Sequence, residues 1–205
     1  LHELYNWAHT PWEWHQDLFS YAKKLGITIF SSPFDNKAVD LLEELKTPAY
    51  KIASFEAVDI ALIRYVASTG KPMIISTGMA NDLEIEEAVN AANEGGCKEI
   101  ALLHCVSGYP APASEYNLRT IPDMLKRFNQ VTGISDHTID NTTAISSISL
   151  GASIIEKHFT LDRSRGGPDD SFSLEESDLR ELCTNSRTAW DSLGKINYLR
   201  TSCCV

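Results

Sequence analysis

Gly133-Ile134-Ser135-Asp136-His137-Thr138 and, further along, Glu156-Lys157-His158-Phe159 share one pattern: a buried strand that runs out into a histidine. Residues 131–135 lead to His137, and residues 152–156 lead to His158. Between them, residues 141–151 are rich in Ala, Ser, Ile and Leu, the make-up of a short crossover helix. Strands joined in this way are parallel neighbours, so their C-terminal ends meet at one edge of the sheet. The pattern therefore predicts two imidazoles side by side where α/β proteins carry their chemistry. Alternation along each strand puts Ser135 with His137, and Glu156 with His158, on one face. Either histidine alone reads more readily as a satisfied core or rim residue. It is the pairing that argues for chemistry.

Outward from these stretches, the chain repeats strand and helix. Residues 1–7 read as the end of a helix. Thr10-Pro11-Trp12-Glu13 reads as an N-cap, a first-turn proline and a capping-box glutamate, opening a helix that stops at Gly26. Strands are expected at residues 27–30, 49–54, 73–77, 100–105, 131–135 and 152–156. Helices are expected at residues 37–45, 57–68, 82–93, 117–128 (interrupted near Pro122) and 174–193. The strands are near-continuously apolar, as in sheets covered on both faces. Six strands in strict alternation with helices give a parallel sheet, open or closed. No Gly-x-Gly-x-x-Gly follows the first strand and no Gly-Lys-Ser/Thr loop occurs, which weakens a nucleotide-binding reading. Ser31, Lys51, Ser76, His104, His137 and His158 end successive strands with polar groups. A ring of such residues suits the mouth of a TIM (β/α)8 barrel, of which about six of the eight strands would be present here.

The composition is that of a soluble globular protein, 43% hydrophobic and 22% charged, with a formal net charge of −10. That charge argues against a nucleic-acid partner, which needs clustered Lys and Arg. It leaves room for a small anion in a local positive pocket. Cys97, Cys105, Cys183, Cys203 and Cys204 form no CxxC pair and no framework, which suits reduced thiols and a cytoplasmic location. No apolar run approaches the roughly 20 residues needed to span a membrane.

Lys51 lies within a strand of apolar and small residues, where an ammonium must find an anion or lose its charge. Ser76, Ser107 and Ser135 each end a different strand. Hydroxyls so grouped beside a lysine can hold phosphate oxygens, although each alone reads as a turn residue. Ser54 and Glu56 lie just beyond the Lys51 strand, where alternation does not fix their direction. Tyr109 sits in a loop able to reach over a substrate. Asp169 lies in the Gly-rich turn 166–170, bound to hydroxyls or facing water. His104 reads as a ligand or as a core histidine.

Ser32-Pro33-Phe34, Tyr50-Lys51-Ile52-Ala53-Ser54, Ser76-Thr77-Gly78-Met79, Leu103-His104-Cys105, Ser135-Asp136-His137-Thr138 and Glu156-Lys157-His158-Phe159 occur in an order and spacing that resembles the sialic acid synthase family. Thr10-Pro11-Trp12-Glu13-Trp14-His15, Ala53-Ser54-Phe55-Glu56-Ala57 and Ser171-Phe172-Ser173-Leu174 look most like its pseudaminic acid synthases. The resemblance implies a TIM barrel followed by a small antifreeze-like domain. It implies a carbon–carbon bond-forming transferase that condenses phosphoenolpyruvate with an open-chain acylamino sugar, here 2,4-diacetamido-2,4,6-trideoxy-L-altrose. The products implied are pseudaminic acid and phosphate, released by C–O cleavage.

The resemblance also implies roles. His137 and His158 match the residues holding a divalent metal, Mn2+ or Mg2+. Lys51, Ser54, Ser76 and Ser135 match phosphoenolpyruvate contacts, with Ser107 at a position where some members carry Asn. Glu56, Tyr109 and Asp169 match sugar-facing positions, with Glu56 and Lys51 as the catalytic pair and a homodimer as the assembly. On this reading residues 1–198 are a partial catalytic barrel lacking its first two strands, residues 199–205 are an unmatched tail, and the antifreeze-like domain is absent. Three alternatives stand beside it. One is an N-acetylneuraminate or legionaminic acid synthase, one a Schiff-base aldolase using Lys51 or Lys157, and one a binding fragment without turnover.

Overall fold

Five parallel strands, in the computed structural model of residues 8–200, follow one another across a single sheet in sequence order: β1 (Tyr50–Ile52), β2 (Met73–Ser76), β3 (Ile100–Cys105), β4 (Val131–Asp136) and β5 (Ile154–Lys157). The helices are α1 (His15–Leu25), α2 (Asn36–Glu44), α3 (Ile60–Ala67), α4 (Asp82–Gly95), α5 (Thr120–Phe128), α6 (Thr142–Ile148) and α7 (Glu176–Leu193). The helix end expected over residues 1–7, and Cys203 and Cys204, lie outside the described residues.

Local chemistry explains where most helices begin and end. The carboxylates of Asp35 and Asp59 accept from the Ala38 and Leu62 amides at the starts of α2 and α3. Asn81 and Glu84 form a capping box at the start of α4. Gly26 and Gly96 close α1 and α4 at φ 71° and 111°, a region that side chains disfavour.

Three expectations are corrected. Thr10 caps nothing: a short 3-10 turn at Trp12–Trp14, with Pro11 before it and no side-chain cap, precedes α1. Pro122 does not interrupt α5, because it sits in the first turn, where its missing N–H has no intrahelical partner to lose. Residues 27–30 form no strand, so the sheet has five strands rather than six. Ser31 alone makes an isolated parallel bridge to Tyr50, its carbonyl accepting from the Lys51 amide at 3.3 Å. Ile27 and Phe30 are exposed, and among the described residues no ladder covers their outer side.

The pairing register sorts side chains onto two faces. Tyr50, Met73 and Ile100 align across β1–β3, as do Ile52, Ile75 and Leu102. This face packs against the helices. Tyr50, Ile52, Met73, Ile75 and Leu102 are fully buried with Ile63, Val66 and Ala92 in one hydrophobic cluster. The opposite face carries Lys51 and Ser76, then Cys105, Ser135 and Glu156 at one level of β3, β4 and β5. In a flat sheet, β1 and β5 would stand about 19 Å apart, four strand spacings. Lys51 Nζ lies 3.3 Å from Glu156 Oε1, so the sheet curls and brings this second face inward.

Candidate active site

The curled face gathers most of the polar residues singled out from the sequence. Lys51 is 8% exposed; its ammonium donates to Ser76 Oγ at 2.8 Å and pairs with Glu156. The same Glu156 oxygen accepts from Ser135 Oγ at 2.7 Å. One step around the sheet, Ser54 Oγ donates to Cys105 Sγ at 3.4 Å and accepts from the Gly78 amide at 3.2 Å. The Ser107 hydroxyl is buried and has no hydrogen-bond partner among the described residues. A Cβ added to Gly78 would lie 2.5 Å from Ser107 Oγ, 3.0 Å from Cys105 Sγ and 3.1 Å from Ser54 Oγ. Glycine here therefore lets three polar side chains converge on a bare backbone. One ammonium, several hydroxyls and a backbone N–H make a suitable cradle for phosphate or carboxylate oxygens.

His137 and His158 stand beside this cradle with ring centroids 5.3 Å apart at 72°. The main chain at His137 is tied to its surroundings: its amide donates to Tyr116 Oη at 2.6 Å and its carbonyl accepts from the Ala111 amide at 3.1 Å. Nδ1 of His137 bonds the Val106 carbonyl at 2.8 Å, and Nδ1 of His158 lies 3.3 Å from Asp169 Oδ2. An oxygen acceptor on Nδ1 is the usual way of leaving Nε2 to a metal. The donor set, two imidazoles with room for water or substrate oxygens, suits a divalent ion in an open site. Among the described residues no group of three or more His, Cys, Asp or Glu forms a closed metal site.

Burial opposes the charge on His137, but the Cys105 sulfur, the Val106 carbonyl and Glu156 outweigh it and hold the pKa above the usual histidine value. Burial pulls His158 below that value against the attraction of Asp169, and the neighbouring His137 adds to the pull. Burial pushes the Cys105 thiol up, yet hydrogen bonds with His137 and Ser54 bring it below its ordinary value.

Tyr109 covers the histidines. Its ring lies 4.3 Å from His137 and 5.9 Å from His158, and Phe172 backs His158 at 5.0 Å. Asp169 sits against His158 through its Oδ2. Glu56 lies in a 3-10 turn (Glu56–Val58) just beyond β1; its Oε2 is buried without a partner among the described residues. Burial raises the pKa of Glu56, with the charge of Lys51 pulling the other way.

Other candidates fall elsewhere. His104 faces the helices, bonds the Tyr116 carbonyl and packs edge-on against the Tyr116 ring, which makes it a core histidine. Lys157 also faces away from the site; three oxygen acceptors surround its ammonium, leaving no free amine for a Schiff base. Two site residues were missed in the sequence. Glu156 was visible only as the same-face partner of His158, and Cys105 only as a free thiol at the end of its strand; the register then sets both level with Ser135.

The NeuB family model matches residues 1–198. The pseudaminic acid synthase of Helicobacter pylori is 43% identical over 195 residues, 95% of this chain and 57% of that protein. The N,N'-diacetyllegionaminic acid synthase of Campylobacter jejuni is 43% identical over 182 residues, 88% of this chain and 54% of that protein. The chain thus spans a little over half the length of these curated relatives. The crystal structure of N-acetylneuraminic acid (sialic acid) synthetase from Leptospira borgpetersenii, in complex with citrate, superposes with a TM-score of 0.92 at 31% identity, covering 98% of this chain and 70% of that one. With the family model matching residues 1–198 and relatives at 43% identity over most of its length, the chain belongs to the NeuB family.

Proposed function

We propose that this chain forms the phosphoenolpyruvate- and metal-binding part of a nonulosonic acid synthase. The enzyme condenses phosphoenolpyruvate with an open-chain acylamino sugar to give a nonulosonic acid and phosphate. The observation that carries the reading is the meeting of Lys51, Ser76, Ser135 and Glu156 on one sheet face beside the histidine pair. Pseudaminic acid is the favoured product, with pseudaminic acid synthases of two genera among the relatives. A legionaminic acid synthase at equal identity supports the second reading. The curled sheet is read as part of a (β/α)8 barrel on its likeness to the sialic acid synthetase, and a cytoplasmic homodimer belongs to the same reading.

In this scheme Lys51, Ser54, Ser76, Ser107 and Ser135 hold the phosphate and carboxylate of phosphoenolpyruvate. His137 and His158 would hold Mn2+ or Mg2+, which when bound supplies Lewis-acid polarisation of the aldehyde oxygen. Tyr109 and Asp169 border the sugar. The enol carbon C3 forms a bond to the aldehyde carbon, whose oxygen takes up a proton. Carbon C2 is left electron-poor, and the Glu56 carboxylate stabilises that charge. Water adds at C2 and loses a proton, and the tetrahedral adduct expels phosphate.

Calorimetric titration of the chain with phosphoenolpyruvate, with and without Mn2+, tests the binding half. Phosphate release that requires both phosphoenolpyruvate and the acylamino sugar tests the rest, in the protein that carries this chain. Saturable phosphoenolpyruvate binding is expected. No binding, or a lysine adduct trapped by borohydride with a carbonyl substrate, overturns the reading.

A further inference from the structure

Asp136 and Lys157 face each other at the end of the β4–β5 ladder, and each is the chain neighbour of one site histidine. They lie on the sheet face turned away from the imidazoles, with side chains 0% and 3% exposed. Lys157 Nζ donates to Asp136 Oδ2 at 2.9 Å, to the Thr138 carbonyl at 2.7 Å and to the Asp140 carbonyl at 2.9 Å. Asp136 also accepts from the Thr138 amide at 2.9 Å and from Thr138 Oγ1 at 3.1 Å. The ammonium is fully used, both carboxylate oxygens are engaged, and the segment that leaves His137 is strapped to β5.

A buried ion pair seldom adds stability over well-packed apolar groups of the same size. What this one does add is placement. Among the described residues β5 pairs with β4 alone in the sheet, and just beyond it a bridge between Phe159 and Leu174, with the Leu174 amide donating to the His158 carbonyl at 2.9 Å, holds the far side of the tip. A slip along that ladder moves one imidazole past the other. The ion pair stands one residue before both histidines and is the charged contact that ties β4 to β5 at that level, where it opposes such a slip.

We propose that the Asp136–Lys157 pair is a positioning device that fixes the separation and tilt of His137 and His158, and so the affinity for a divalent cation. The proposal rests on reading the two histidines as cation ligands. It gives the two residues a role although neither touches the ion or the substrate.

The test uses the chain with Mn2+ alone, bound metal being followed by electron paramagnetic resonance and folding by thermal melting. Lys157→Met leaves Asp136 buried and unpaired, and is expected to lower both the melting temperature and Mn2+ affinity. Asp136→Asn with Lys157→Met removes both charges at similar volume, the amide oxygen still accepting from Thr138. This double variant is expected to recover much of the melting temperature yet bind Mn2+ at least about tenfold more weakly than the parent, as for other supports of metal-ligating histidines. Parental affinity in the folded double variant overturns the proposal. Should that variant not fold, Lys157→Arg keeps the charge but changes its reach, and parental affinity there overturns the proposal equally. If the parent chain binds no Mn2+, the functional reading fails instead. A crystal structure of the double variant then decides: rings still 5.3 Å apart at 72° refute positioning, and displaced rings support it.

Discussion

Lys51 on the first strand of the sheet meets Glu156 on the fifth at 3.3 Å, and Ser135 donates to the same glutamate oxygen at 2.7 Å. The proposed anion cradle therefore already holds an anion of its own. An incoming phosphate competes with that carboxylate for Lys51 and Ser135. Glu156→Gln is expected to raise affinity for inorganic phosphate on the order of tenfold, about the worth of one charge-assisted hydrogen bond. Lys51→Met should lower it by a similar factor or more. Calorimetry on the two variants reads both, and weaker phosphate binding by Glu156→Gln shows that the carboxylate does not compete.

Gly78 supplies a second check on the same cradle. Gly78→Ala places a methyl group against the Ser107 and Ser54 hydroxyls and the Cys105 sulfur. The hydroxyls rotate away easily, so melting temperature should fall little, while phosphate affinity drops about tenfold with two displaced donors. Unchanged affinity would place the anion elsewhere.

The acid limb of stability should carry a signature of His104. Burial lowers its pKa below the usual value of 6.5, partly opposed by its bond to the Tyr116 carbonyl. As pH falls below 6.5 the unfolded chain takes up the proton first, so this contribution to stability is present above 6.5 and is lost on acidification toward the folded-state value. His104→Gln should therefore lose less melting temperature than the parent between about pH 7.5 and pH 5.5. His158 titrates in both proteins and cancels in the comparison. Equal losses would show that His104 does not titrate differently on folding.

The fate of the bridging oxygen tests which bond breaks. The proposed cradle offers a lysine and hydroxyls but no Gly-rich phosphate loop, which suits holding phosphate rather than transferring a phosphoryl group. In the protein that carries this chain, phosphoenolpyruvate labelled with oxygen-18 at the bridging position should give labelled inorganic phosphate. Label kept at C2 of the sugar acid means P–O cleavage and removes the role given to Glu56.

What the sequence could reveal followed the range of the forces involved. β3 and β4 were legible nearly to the residue, since their apolar runs lie between turn residues and pack on both faces. The meeting of His137 and His158 followed from alternation and parallel connection, both local rules. Glu156 was hidden as a partner of Lys51 because their contact depends on the curl accumulated over five strands. Residues 27–30 misled for the opposite reason: Ile27-Thr28-Ile29-Phe30 has strand composition, but a strand also needs a ladder, and among the described residues one bridge at Ser31 is all it finds. Thr10 matched a capping pattern, yet the chain enters α1 through a 3-10 turn that bypasses the threonine side chain.

That lone bridge and the pinned β4–β5 seam give the sheet a direction of breathing. In native-state hydrogen exchange, the Lys51 amide hangs on the Ser31 carbonyl at 3.3 Å, through an isolated bridge with no ladder beyond it among the described residues. The Ser153 amide, by contrast, donates to the Thr132 carbonyl at 2.8 Å, on the seam that the Asp136–Lys157 pair closes higher up. Lys51 should thus exchange through small local openings, and Ser153 only in larger ones. Exposure of the proposed cradle would then begin at its lysine and leave the histidines in place, so that the lysine side loosens before the histidine side.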